Sequence, residues 1–209
     1  MRTTARRAGQ VVKKAAQRAG RPIVQAEPPE PSAQNAKVER RRRLLASDLT
    51  ELAIEFRTDK WGVHRYTPHY ERHLQHLRRE SFTLLELGIG GYKKRRRSGA
   101  SMKMWRWFFP KATIVQGDAY DIRGSLDGVI DEPAAATVSS LPLFTKPLEV
   151  RLELLGAAHD LMHPNAPFIQ FTYAVVPPIP AEGGDYTASR SDRVWLNLPP
   201  ARVWVYRRP

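Results

Sequence analysis

The stretch from Thr83 to Pro110, TLLELGIGGYKKRRRSGASMKMWRWFFP, constrains this chain most, because a buried strand, a glycine turn and an amphipathic helix follow one another directly. Leu84, Leu85 and Leu87 form a short apolar run with Glu86 near its end. Gly88, Gly90 and Gly91 come next, where the missing Cβ lets backbone approach a ligand closely. A dinucleotide fingerprint wants its third glycine three residues after the second and a helix opening at once. Here YKKRRR and SGAS intervene before Met102, Trp105 and Phe109, so the turn suits a nucleoside better than a pyrophosphate. Taken alone, the glycine spacing also reads as an ordinary strand end with a turn.

The wording of this corner resembles motif I of class I S-adenosylmethionine-dependent methyltransferases, in which an acidic residue and E/D-x-G-x-G close over the amino acid end of the cofactor. Glu86, Gly88 and Gly90 match it. With TDKWG at Thr58 to Gly62, HRYTPHYE at His64 to Glu71, ELGIGGY and SMKMWRWFFP, residues 48 to 112 resemble the N-terminal half of macrocin-type sugar O-methyltransferases. In that family TDKWG and the YTP segment fold over the bound cofactor. The resemblance therefore implies Lys60, Trp61, Gly62 and Tyr66 as cofactor-side residues beside Glu86, Gly88, Gly90 and Gly91, with plain core as the competing reading of Trp61.

From about Ile114 the resemblance changes. IVQGDAYD, TVSSLPLFTKP, HPNAPFIQFTYAVVPPIP and VWLNLPPARVWVYRR are similar to the C-terminal part of bacterial phospholipid (phosphatidylethanolamine) N-methyltransferases, relatives of the rRNA adenine dimethylases. A complete domain of this class has a second strand whose terminal acid holds the ribose hydroxyls, then a further helix and strand before an adenine-side Asp. FFPKATIVQGDAYD reads as a splice that skips a β–α unit, which makes Asp118 the adenine-side residue and leaves the ribose acid missing. If the sugar pattern instead runs on unbroken, Asp118 is the ribose acid. The first reading is favoured because QGDAYD fits the phospholipid pattern better. The metal-binding acids of the sugar family have no convincing counterparts, so no metal is expected.

Methyl transfer from a sulfonium rests on in-line positioning and proceeds without a strong acid or base. By resemblance, Ser139, Ser140, Leu141 and Pro142 form the polar-Pro loop that ends the fourth strand and accepts hydrogen bonds from a target nitrogen. Ser140 is one catalytic candidate. Tyr173 is the other, as a π face for a cationic amine, whereas Phe171 reads as core. Four of the six histidines, His64, His69, His73 and His76, fall between Thr58 and Arg79. The i,i+4 spacing of His69 and His73 is zinc-like, but no Cys or nearby carboxylate pair completes a site, and surface histidines are the simpler reading. His163 reads as a helix C-terminal residue favoured by the dipole.

The chain of 209 residues contains no Cys, which excludes disulfides and thiolate zinc sites. Its net charge of +13 is uneven: residues 1–110 carry +15 and residues 111–209 carry −2. Residues 1–36 are expected to be a basic disordered arm with a Pro-rich linker, residues 37–80 a helical cap, and residues 81–209 a methyltransferase-like α/β domain. The arm suits an anionic membrane surface or, second to it, nucleic acid, and equally suits a solvated tail or a transit segment. No apolar run is long enough to cross a bilayer, so a cytoplasmic protein, peripheral at a membrane, is expected.

Helical spacing of Leu45, Leu49, Leu52 and Phe56 predicts a helix over Lys37 to Arg57, and Leu148, Leu152, Leu155, His159 and Met162 predict one face of another. Arg193–Asn197 and Arg202–Arg207 predict a terminal antiparallel hairpin joined by LPPA. The expected fold is a Rossmann-like class I methyltransferase sheet with that hairpin, one β–α unit short. The expected function is S-adenosylmethionine-dependent phospholipid N-methylation. The alternatives are sugar or small-molecule O-methylation, and a noncatalytic remnant that binds anionic membrane or RNA through the arm.

Overall fold

Strand and helix alternate along the chain because apolar runs of period two alternate with runs of helical period. The computed structural model describes residues 33–62, 64–88, 99–115, 119–126, 128–197 and 199–209. The arm up to residue 32, Gly90, Gly91 and Asp118 lie outside the described residues. Residues from Glu39 to Pro209 form one compact unit.

In chain order the elements are α1 (Ala33–Ala46), α2 (Leu49–Glu55), α3 (Thr67–Leu74), β1 (Thr83–Leu87), α4 (Ala100–Phe108) and β2 (Thr113–Val115), then α5 (Ile122–Leu126), β3 (Ala136–Ser139), α6 (Leu148–Asp160), β4 (Phe168–Thr172), β5 (Thr187–Arg190) and β6 (Arg202–Arg207). The six strands lie in the order β2-β1-β3-β4-β6-β5. β1 pairs in parallel with β2 on one side and β3 on the other, β3 with β4 likewise, and β6 enters antiparallel between β4 and β5. After β2 the chain crosses to the far side of β1, so the crevice between the carboxyl ends of β1 and β3 is the topological switch point where open α/β sheets bind ligands.

Among the described residues the sheet has six strands, and the strand after α4 does not stand where the splice reading has it. The strand after α4 hydrogen-bonds directly to β1, in register Thr83 with Thr113 and Leu85 with Val115, and so takes the place of the second strand. Among the described residues no strand lies beyond β2 at that edge, and only the short α5 separates β2 from β3.

Alternation along β1 decides what each face receives. Leu85 and Leu87 face a core built with Leu126, Leu154, Leu155, Ala158, Phe168 and Tyr206. Leu84 faces the other, aromatic core, where α2, α3 and α4 contribute Leu49, Leu52, Tyr70, Trp105 and Phe108, and the cap of α4 contributes Phe109. Glu86 shares Leu84's parity and is carried to the aromatic side.

Three local expectations change. The single helix over residues 37–57 is two, because Asp48 caps α2: its carboxylate accepts from the Glu51 N–H while Glu51 accepts from the Asp48 N–H. The buried face of α6 is Leu154, Leu155, Ala157, Ala158 and His159, whereas Leu148 and Leu152 are exposed. The hairpin partner of β6 is Thr187–Arg190, not Arg193–Asn197. TASR carries no apolar alternation because β5 is an exposed edge, and Arg193–Asn197 is a turn with one bridge, Val194 to Ala201.

Candidate functional site

The carboxyl ends of β1, β3 and β4 converge with the segment from Thr58 to Tyr66, and nearly every described candidate lies there. At the end of β1 the chain turns at Gly88 with φ +82°. A Cβ at Gly88 would stand 3.2 Å from Leu141 Cδ2 and 3.3 Å from Leu141 N and Ser140 C. That glycine is therefore required by the close approach of β1's end to the loop after β3, which the Ser140 N–H ties down by donating to Leu87 O at 3.0 Å.

Lys60 and Glu86 meet beneath this junction with side chains 3% and 1% exposed. Lys60 Nζ lies 3.1 Å from Glu86 Oε1 and donates to Ser140 Oγ at 3.3 Å. Oε1 is thus paired with the Lys60 ammonium, whereas among the described residues Glu86 Oε2 has no hydrogen-bond partner. Burial works against the Lys60 charge, but Glu86, Tyr70 and Asp59 outweigh it and hold the ammonium above its ordinary value. One buried cation thus links the acidic residue of the glycine corner to Ser140 in the loop after β3.

Ser140 and Tyr173, 33 residues apart in sequence, both line one cleft of about 380 Å³, together with Leu141, Pro142, Phe144 and Gln170. That volume suits a small molecule. Gln170, 1% exposed, donates through Nε2 to Leu141 O at 3.0 Å and to Phe171 O at 2.6 Å, which fixes the loop. Tyr66 is buried in an aromatic stack, 4.3 Å from the Phe171 ring and 5.0 Å from the Tyr70 ring. Trp61 is half-buried under the Arg65 guanidinium and packs on the aromatic core, in line with its core reading. Gly62 turns with φ +98°.

His64 stands at the mouth of this site, its Nδ1 2.6 Å from Tyr173 Oη. Burial and the Lys60 charge push its imidazole below the ordinary value, against Asp59. Sequence reasoning counted His64 only among the histidines and passed over Gln170 altogether. The available signals were the His-x-Tyr spacing to Tyr66 in HRYTPHYE and a lone amide in the apolar run FIQF. His69 and His73 share α3. Among the described residues no group of three His, Asp or Glu side chains is placed to hold a metal ion.

No protein-family model matches the chain. It is 43% identical over 88 residues to L-olivosyl-oleandolide 3-O-methyltransferase of Streptomyces antibioticus, a match covering 42% of this chain and 23% of that protein. It is 43% identical over 75 residues to mycinamicin VI 2''-O-methyltransferase of Micromonospora griseorubida, covering 35% of this chain and 19% of that protein. The chain thus spans less than a quarter of the length of these curated relatives. In structure it resembles the MycE methyltransferase from the mycinamycin biosynthetic pathway in complex with Mg, SAH and mycinamycin VI, with a TM-score of 0.51 and 26% identity over 61% of this chain and 39% of that one. The fold is that of class I methyltransferases. These relatives favour the sugar O-methylation expectation over phospholipid N-methylation, for which they give no support.

Proposed function

We propose that this chain carries an S-adenosylmethionine site and serves transfer of a methyl group to a hydroxyl of a sugar or glycoside. The observation that carries the reading is the buried Glu86 carboxylate, paired with Lys60 through Oε1 and with Oε2 lacking a hydrogen-bond partner among the described residues, at the switch point beside the Gly88 turn. A carboxylate so placed fits the ammonium of the cofactor's amino acid end, since a buried charge needs a hydrogen-bonding partner. When bound, the cofactor supplies an electrophilic methyl group on a positively charged sulfur.

The chain's own residues bind and orient. Glu86 and the Gly88 turn hold the amino acid end, with Gly90 and Gly91 of the sequence motif as further candidates for it. Lys60 neutralises the other side of Glu86 and fixes Ser140, so that cofactor and acceptor loop keep one geometry. Trp61, Gly62 and Tyr66 close the cap side. β2 sits beside β1 as a second strand does, which supports the reading of Asp118, three residues further in the sequence, as the ribose acid of the sugar pattern. The acceptor lies in the cleft between Ser140 and Tyr173.

Calorimetric titration with S-adenosylmethionine tests the reading. Binding that is lost in Glu86→Ala supports it, provided the variant keeps its circular dichroism spectrum. Equal affinity in the variant, or no binding by the wild-type chain, overturns it.

A further inference from the structure

We propose that Tyr173 and His64 form a proton relay: the Tyr173 hydroxyl takes the proton of an acceptor hydroxyl seated in the cleft and passes its own to His64 Nδ1. This rests on the O-methylation reading above.

The geometry is that of a relay. Tyr173 lines the cleft, whereas His64 is not among the residues that line it and reaches it through the 2.6 Å contact between Oη and Nδ1. The imidazole is held by rings on three sides, 5.6 Å from Tyr66, 5.2 Å from Phe171 and 5.5 Å from Tyr173. Ring packing of this kind holds the imidazole with its Nδ1 edge nearest the phenol, whose Oη lies 2.6 Å from Nδ1 and 3.3 Å from Nε2.

The surroundings keep both groups uncharged. The titratable groups acting on His64 are Asp59 and Lys60 from the preceding turn, Tyr66 from its own segment and Tyr173 from the end of β4. Burial first, then Lys60, keep the imidazole neutral, with Asp59 opposing. Burial first, then Asp59, push the Tyr173 phenol above its ordinary value. At neutral pH both groups are thus uncharged, and in the imidazole tautomer protonated at Nε2 the phenol donates to Nδ1. The phenol oxygen retains lone pairs for an acceptor O–H.

The step balances. The acceptor oxygen forms its bond to the methyl carbon while the carbon–sulfur bond breaks and its electron pair stays on sulfur. The acceptor proton goes to Tyr173 Oη, and the Tyr173 proton to His64 Nδ1. One positive charge disappears at sulfur and one appears on the imidazolium.

The first test needs no acceptor. The His64 imidazole is titrated by NMR in the wild-type chain and in Tyr173→Phe. The wild-type midpoint is expected below 6.5, and it should rise toward 6.5 in the variant, which loses the hydrogen bond that favours the neutral ring. A midpoint unmoved by the variant overturns the relay.

The second test follows labelled methyl transfer from S-adenosylmethionine to a phenyl rhamnoside between pH 5 and 8. Tyr173→Phe and His64→Phe, the latter keeping a ring in the stack, are each expected to lower the rate by about 100-fold or more. Cofactor affinity should be unchanged, and the fall in wild-type rate below the His64 midpoint should be lost in both. Transfer by either variant at the wild-type rate overturns the relay alone. No transfer by a wild-type chain that binds the cofactor overturns the O-methylation reading beneath it.

Discussion

Two ion clusters in this protein use the same chemistry and do different things. Lys60 and Glu86 lie under the aromatic face with side chains 3% and 1% exposed. Asp160, at the end of α6, is 38% exposed and pairs with Arg208 at 2.6 Å and with Arg123. In the first cluster neither ion has water to fall back on, so each depends on the other. In the second, solvent screens every charge and each ion can be lost cheaply. The comparison separates an ion pair that sets the geometry of a site from one that decorates a surface.

The sharpest way to break this contrast is Lys60→Met, which strands a buried carboxylate and is expected to cost about 3 to 5 kcal/mol in urea unfolding at pH 7. Adding Glu86→Leu should recover most of that loss, since an apolar pair of similar volume carries no stranded charge. A pH series sharpens it further. Because the Lys60 value is raised in the fold, its contribution is fully present below the ordinary 10.5 and is lost as pH rises through the higher folded value. A Lys60→Met variant less than about 1 kcal/mol below wild type would put the two clusters on the same footing.

Gly88→Ala asks whether the dry side depends on backbone as well as charge. A side chain at φ +82° meeting Leu141 at 3.2 Å is expected to cost about 1 to 3 kcal/mol. It should also weaken S-adenosylmethionine binding, because the Ser140–Leu141 loop must yield. Wild-type melting and affinity would show that the approach is slack.

The smallest effect is expected for Asp160→Asn, less than about 1 kcal/mol by the same unfolding measurement. Arg208 foremost, with Arg123 beside it, holds the Asp160 carboxyl below its ordinary 3.8 against the penalty of burial. Its contribution is therefore present above that value and is lost as pH falls toward the lower folded one. A loss near that of Lys60→Met would mean that exposure does not separate the clusters.

Much of the sheet was legible because its signals are local. Leu84, Leu85 and Leu87 announce β1, and Arg202–Arg207 announces β6 by alternation. β5 was not legible, since an exposed edge strand such as TASR has no buried face to write into its sequence. The break at Ser47 and Asp48 was readable from the D-x-x-E capping box, but the leucine spacing runs through it and hides it. At the site, the glycine corner stood out by type and spacing. The neighbours of Glu86 did not, because Lys60 is 26 residues and Ser140 54 residues away along the chain.

By itself the sequence determined β1, α4 and β6, the glycine turn after β1 and the resemblance of the corner to sugar O-methyltransferases. All of these are properties of neighbours in the chain, where periodicity, backbone freedom and wording act. Only the tertiary structure decided that β2 lies against β1, that Lys60 joins Glu86 to Ser140, and that His64 stands 2.6 Å from Tyr173. The physical reason is that strand pairing and side-chain contact follow from which faces must be buried together, and burial is satisfied only by the whole chain at once.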